Sequence, residues 1–137
     1  MSVILLRHAS AGDRDAWVGD DRVRPLDAAG RAQAAALRGA MPATRVVSSP
    51  YVRCVETVEP LAASLGLEIE LDERLAEGGS RAGALVLLAE LDGGVACTHG
   101  DIVEAVLGAP LDKGAAVVLE LAGDGVRVLE HLAPPSA

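Results

Sequence analysis

The sequence predicts an α/β fold: a three-layer α/β/α sandwich on a mostly parallel sheet, with an antiparallel hairpin at its C-terminal end. Three observations carry this. Short apolar runs, Val3-Ile4-Leu5-Leu6 and Val95-Ala96-Cys97-Thr98 among them, have the length of buried strands. Helical segments rich in Ala and Leu separate them, and strands alternating with helices favour a parallel sheet. Two final runs, 115–121 and 125–131, are joined by Ala122-Gly123-Asp124-Gly125, a hairpin signal. No repeat or linker divides the chain, so residues 1–137 read as a single domain.

Each element has its own justification. Residues 2–7 are the first strand, and residues 8–26 a polar loop with Gly12, Gly19 and little periodicity. Pro25-Leu26-Asp27 opens a helix over 28–39, with Asp27 as N-cap, Leu37 on its apolar face, and Gly39 and Pro42 to stop it. Val46-Val47 is a short second strand that ends at Ser48-Ser49-Pro50. A helix runs from about Tyr51 to Leu65; Pro60 should kink or restart it, and Gly66 caps it.

Residues 67–71 alternate as a strand, with Leu67, Ile69 and Leu71 on one side. A loop over 72–80 and a helix over 81–91 follow, and Asp92-Gly93-Gly94 turns into the 95–98 strand. Asp101 to Leu107 is a short helix whose first turn carries a favourable negative charge. The tail, Pro134-Pro135-Ser136-Ala137, is expected to fray.

Composition narrows the function. One Trp, one Tyr and no Phe leave an aliphatic core. The net charge of -8 disfavours a nucleic-acid partner. It also repels phosphate at long range, so any phosphate site must be a local arginine cluster. Cys54 and Cys97 fit neither a disulfide framework nor a metal signature, and Cys97 reads as a small core hydrophobe. No secretory signal or bilayer-length apolar stretch is visible, so the expectation is a cytoplasmic protein with no membrane partner.

Two of the three histidines, His8 and His99, stand where apolar strands run out, and Arg7 precedes the first. Open α/β sheets bind ligands outside the carboxyl ends of their strands. Arginine grips phosphate with a bidentate fork, and imidazole serves as nucleophile, acid or base near neutral pH. The combination points to phosphoryl transfer through a phosphohistidine. Arg53 joins it from the start of a helix, where free amides already favour an anion.

The chain resembles the histidine phosphatase superfamily, with its phosphoglycerate-mutase-like fold. The matching pieces are Leu6-Arg7-His8-Ala9, Arg24-Pro25-Leu26-Asp27 with Gly30-Arg31-Ala32-Gln33-Ala34, Ser48-Ser49-Pro50-Tyr51-Val52-Arg53-Cys54-Val55-Glu56-Thr57, and Thr98-His99-Gly100. They come in the family's order. The small size and the Arg-Pro-Leu stretch look most like the SixA-type phosphohistidine phosphatases, and like the phosphatase domain at the C-terminus of some Nudix hydrolases.

The resemblance implies that His8 is the nucleophile, that Arg7 and Arg53 hold the phosphoryl oxygens, and that His99 hydrogen-bonds the group in flight. It implies no metal or other cofactor. Two nearby arginines should keep His8 neutral. The family's usual Arg-His-Gly is Arg-His-Ala here. Ala9 keeps the carbonyl that orients the nucleophile's ring, so the geometry is expected to survive.

Glu77, in Leu75-Ala76-Glu77, fits the position of the general acid in relatives that cleave phosphate esters; a solvated loop carboxylate is the alternative. Ser10 is a candidate phosphate donor. Ser48 and Ser49 suit a turn, Arg22 and Arg24 guide an acidic substrate or are simply solvated, and His131 is a surface residue. The expected partner is a phosphohistidine protein, with a small phosphorylated metabolite or nucleotide as runner-up. A non-catalytic phosphate-binding module competes with both, and would bind without turnover.

Overall fold

The computed structural model describes residues 2–123 and 125–135. Its elements run β1 (Val3–Arg7), α1 (Ala28–Ala36), β2 (Val46–Ser48), α2 (Val52–Leu65), β3 (Ile69–Leu71), α3 (Arg81–Ala89), β4 (Val95–Thr98), α4 (Gly100–Leu107), β5 (Ala116–Ala122) and β6 (Gly125–Leu132). The six strands form one sheet in the order β3-β2-β4-β1-β5-β6. The first four in that order are mutually parallel, while β5 lies antiparallel to β1 and β6 antiparallel to β5. The predicted mixed α/β sandwich with its C-terminal hairpin is what the chain forms.

Successive strand residues point to opposite faces. Leu5, Val47 and Ala96 pack with Leu87, Leu88, Ile102 and Val103 of α3 and α4. Their neighbours Leu6, Val46 and Cys97 pack with Cys54, Val58 and Leu61 of α2. Both faces are covered, which explains why these strands read as continuous apolar runs rather than alternating ones. On β6, by contrast, Val128 and Leu129 are exposed at the sheet edge.

Several boundaries differ from expectation. α2 runs unbroken through Pro60, so the helix does not restart there. α1 ends at Ala36, with Leu37 buried as its C-cap and Gly39 at φ +69° in the turn beyond. The third strand is two residues shorter than predicted. After Gly66, at φ +68°, the amide of Leu67 donates back to Ala62, closing the end of α2, and ladder pairing begins only at Ile69. Leu71 is 59% exposed rather than sharing the buried side with Leu67 and Ile69.

The long loop is more ordered than its sequence suggested. It holds two single helical turns, Arg14–Ala16 and Asp21–Val23, each started by an aspartate side chain, Asp13 and Asp20. One-turn elements fixed by a cap leave no apolar period to read. Asp124 of the hairpin signal and Ser136-Ala137 of the expected frayed tail lie outside the described residues. Among the described residues, no helix is long and apolar enough to cross a membrane.

The sheet sets up the site. Arg7 pairs with Thr98, and Ser48 with Cys97, so the central strands end nearly level. His8, Ser49 and His99 are therefore the first residues past one edge.

Candidate active site

His8 is 5% exposed, and its Nδ1 donates to the carbonyl of Ala9 at 2.7 Å. A carbonyl only accepts, so the proton sits on Nδ1 and the Nε2 lone pair is left for chemistry. Ala9 is buried, its amide donates to Thr57 Oγ1 at 3.0 Å, and its φ is not positive. Glycine's freedom is not needed there, which accounts for alanine in its place. Burial lowers the His8 pKa from 6.5 to about 3, opposed by the Ala9 bond and assisted by the charges of His99, Arg53 and Arg7. The two arginines act in the expected direction, and burial does more than they do.

Arg7 lies at the end of β1, and its Nη1 donates to Leu111 O at 2.6 Å. Its guanidinium rests on the first residue of α4. A Cβ on Gly100 would stand 3.0 Å from Arg7 Cζ and Nη2. Glycine at that position is what lets a helix N-terminus and an arginine share the space.

Arg53 is fully buried in the first turn of α2. Its Nη1 donates to Asp21 O at 2.8 Å and its Nη2 to Asp21 Oδ2 at 3.0 Å. Tyr51 carries guanidinium groups near its ring, Arg53 at 4.9 Å and Arg22 at 4.7 Å from the centroid. The same ring meets the His99 imidazole edge-on, with centroids 4.6 Å apart.

His99 is the N-cap residue of α4, 2% exposed, its ring 5.5 Å from that of His8 and T-shaped to it. Its Nε2 lies 2.9 Å from Ser49 Oγ and 3.6 Å from Cys54 Sγ. Ser49 Oγ also accepts from the Tyr51 amide at 3.3 Å. Sequence reading placed Ser49 in the turn but missed its contact with His99, and it missed the Cys54 contact as well. Cys97 is fully buried in β4, and burial pushes its thiol well above 9.

Three buried side-chain nitrogens lack a partner among the described residues: Arg7 Nε, Arg53 Nε and His99 Nδ1. All are on residues singled out from sequence. Leaving a buried donor unpaired is costly, and such groups collect at functional sites. A pocket of about 490 Å³ is lined by Arg7, His8, His99, Glu77, Arg24 and Lys113, among others. A second cleft, about 590 Å³, lies at the other end of the strands by Ile4, Met41 and Leu132, away from these groups.

Glu77 does reach the site, but both its oxygens are engaged. Arg14 donates to Oε1, and Arg53 Nη2 lies 3.4 Å from Oε2. Its loop is tied to α4 by the Gly78 amide, which donates to Asp101 Oδ2 at 2.8 Å. Ser10 is placed differently from the sequence reading. Its hydroxyl donates to Asp27 Oδ2 at 2.7 Å, and its amide to Gln33 Oε1 at 3.0 Å. Asp27 Oδ2 also accepts from the Gly12 amide, and Gly30 packs on the Ser10 carbonyl so closely that a Cβ there would overlap it. Ser10 therefore staples the loop after His8 to α1 instead of facing the pocket.

Arg22 is exposed and paired with Glu73, whereas Arg24 is 6% exposed and not solvated. His131 is exposed on β6. Among the described residues, no three His, Cys, Asp or Glu side chains are grouped as metal ligands. The arrangement suits a tetrahedral oxyanion: a neutral imidazole as nucleophile, guanidinium groups for the oxygens, and a second imidazole as donor.

A family model described as histidine phosphatase superfamily (branch 1) matches residues 3–85. An 8-oxo-(d)GTP phosphatase of Mycolicibacterium smegmatis is 34% identical, with 98% of this chain and 48% of the relative covered. The chain thus spans about half the length of that curated relative. A protein assigned as the phosphohistidine phosphatase SixA of Agrobacterium tumefaciens superposes with a TM-score of 0.73 at 25% identity, covering 97% of each chain. A phosphoglycerate mutase of Thermus thermophilus superposes with a TM-score of 0.72 at 24% identity, covering 97% of this chain and 99% of the mutase. The mutase likeness establishes the fold, as the sequence resemblance implied.

Proposed function

This chain belongs to branch 1 of the histidine phosphatase superfamily, and from that premise we propose that it is a metal-independent phosphatase working through a phosphoryl group held on His8. The observation that carries the reading is the set of unpartnered buried nitrogens on Arg7, Arg53 and His99 beside a neutral His8. In the first step His8 Nε2 attacks phosphorus. A P–N bond forms as the bond to the leaving group breaks, and the leaving group departs with the electron pair. In the second step water attacks phosphorus, the P–N bond breaks, and His8 returns neutral as inorganic phosphate leaves. Arg7, Arg53 and His99 stabilise the charge on the equatorial oxygens in both steps.

For the substrate we favour a phosphohistidine side chain on a protein. The likeness to SixA over nearly the whole of both chains supports it. A small phosphomonoester or nucleotide is the second reading. The nucleotide name of the mycobacterial relative favours it.

A substrate panel tests both. Phosphohistidine protein, sugar phosphates and nucleotides are assayed for phosphate release, with and without EDTA. The expected result is release unaffected by chelation, inhibited by vanadate and fastest with phosphohistidine. Loss on chelation that a divalent ion restores overturns the mechanism. Binding of phosphorylated ligands without any release makes the chain a phosphate-binding module.

A further inference from the structure

Arg24 and Arg53 come from distant parts of the sequence, yet one residue holds both. Asp21 Oδ1 accepts from Arg24 Nε at 2.9 Å, and Asp21 Oδ2 accepts from Arg53 Nη2 at 3.0 Å. The main-chain oxygen of Asp21 accepts from Arg53 Nη1 at 2.8 Å. Arg24 Nη1 donates to Ala11 O, in the loop that follows His8. The single turn Asp21–Val23 makes this possible. Asp20 starts it by accepting from the Arg22 amide, and the turn brings Arg24, three residues on, back beside the Asp21 carboxylate.

The charge balance explains why such a residue is needed. The side chain of Arg53 is 0% exposed and that of Arg24 is 7% exposed. Two buried guanidinium groups without an anion between them would carry a large desolvation penalty and repel each other. Asp21 offsets both. Asp21 accepts from both Nη groups of Arg53, Glu77 Oε2 lies 3.4 Å from Nη2 as well, and Nε is left unpartnered. Arg24, held at two nitrogens, lines the same pocket as Arg7, His8 and His99.

We infer that Asp21 is the positioning residue of the anion pocket, fixing Arg53 and Arg24 as one cationic unit, and that Arg24 is a third oxyanion-binding arginine beside Arg7 and Arg53. The inference rests on the proposed phosphoryl site.

The test measures orthovanadate and inorganic phosphate affinity by titration calorimetry, with kcat and KM on p-nitrophenyl phosphate. Wild-type protein comes first: if vanadate does not bind, the proposed function itself fails. If it binds, Asp21→Asn and Arg24→Met should each weaken vanadate about 10–100-fold, the worth of a hydrogen bond to a charged group. The double variant should be hardly worse than either single one, because the two residues act through each other. Asp21→Glu should recover part of the loss.

Tighter vanadate binding by Asp21→Asn would show Asp21 to be a competitor for Arg53 and would overturn the inference. So would a lowered melting temperature with unchanged affinity, which is what a purely structural aspartate gives. If Asp21→Asn does not fold, Arg24→Met decides alone: unchanged vanadate affinity removes Arg24 from the pocket and the inference with it.

Discussion

The His8 imidazole is held by its own neighbour: Nδ1 donates to Ala9 O at 2.7 Å, while the Ala9 amide donates to Thr57 Oγ1 at 3.0 Å. The tautomer of His8 is thus set by one residue anchored to α2. With Nδ1 protonated, Nε2 is the atom that would take the phosphoryl group in the proposed reaction. His8→Ala should abolish turnover and the acid-labile phosphoenzyme. Rapid acid-free quenching with a labelled substrate checks this. Retention of more than about a hundredth of the wild-type rate would mean another nucleophile, since removing a covalent nucleophile ordinarily costs far more.

The His8 pKa makes two separate predictions. Burial first, then the neighbouring positive charges, lower it to about 3 from 6.5. Its ring should therefore show no titration by NMR between pH 5 and 8, and the rate should show no limb from His8 in that range. Stability follows by linkage. Between about pH 6.5 and 3 the unfolded chain binds a proton at this position and the native chain does not. Stability from His8 is therefore complete above pH 6.5 and is lost progressively as pH falls toward 3, by at most ~5 kcal/mol. His8→Asn should flatten the fall in urea midpoint over that window. An equally steep fall in the variant would place the acid sensitivity in other groups.

What was legible in the sequence follows from what each residue depends on. Arg7, His8 and His99 were readable because apolar runs mark where β1 and β4 end, and the sheet register carries those ends to one edge. Arg53 was readable from its place just inside α2. Asp21 was not, and Arg24 was read only as a guide for an acidic substrate or a solvated side chain, because their partners are Arg53 and Ala11, reached only once a loop with no periodicity has folded around two aspartate-capped turns. Ser10 misled for a related reason. A hydroxyl beside a nucleophile suggests a phosphate donor, but Asp27 at the start of α1 takes it. Leu71 continued an alternation that the edge strand does not bury.

Gly100 separates activity from stability. An added Cβ would stand 3.0 Å from the end of the Arg7 side chain and 3.2 Å from its Nε. The guanidinium, now bonded to Leu111 O, has to shift by a few tenths of an ångström. Alanine is also the better residue in a helix, so α4 loses nothing. Gly100→Ala should leave the melting temperature unchanged or slightly raised while kcat/KM falls by about tenfold or more, as misplaced catalytic groups typically cost. Unchanged kinetics would mean that Arg7 relaxes without cost and that its position is not critical.

Glu77 has two readings that kinetics can divide. As general acid it would protonate a departing alkoxide. As placed, Oε1 accepts from Arg14 and Oε2 faces Arg53 at 3.4 Å, which suits a residue that holds arginines. General acid catalysis contributes about 10²–10⁴-fold where the leaving group is poor. If Glu77 is the acid, Glu77→Gln should slow sugar-phosphate cleavage by that factor and barely affect p-nitrophenyl phosphate or phosphohistidine, whose leaving groups need little help. If it positions Arg53, the variant should slow all three to a similar extent and weaken vanadate binding with them, because the glutamine cannot supply the charge that holds Arg14 and Arg53 in place. The geometry leads us to expect the second pattern. A selective loss on esters would restore the acid role, and would turn the substrate assignment toward a small phosphomonoester.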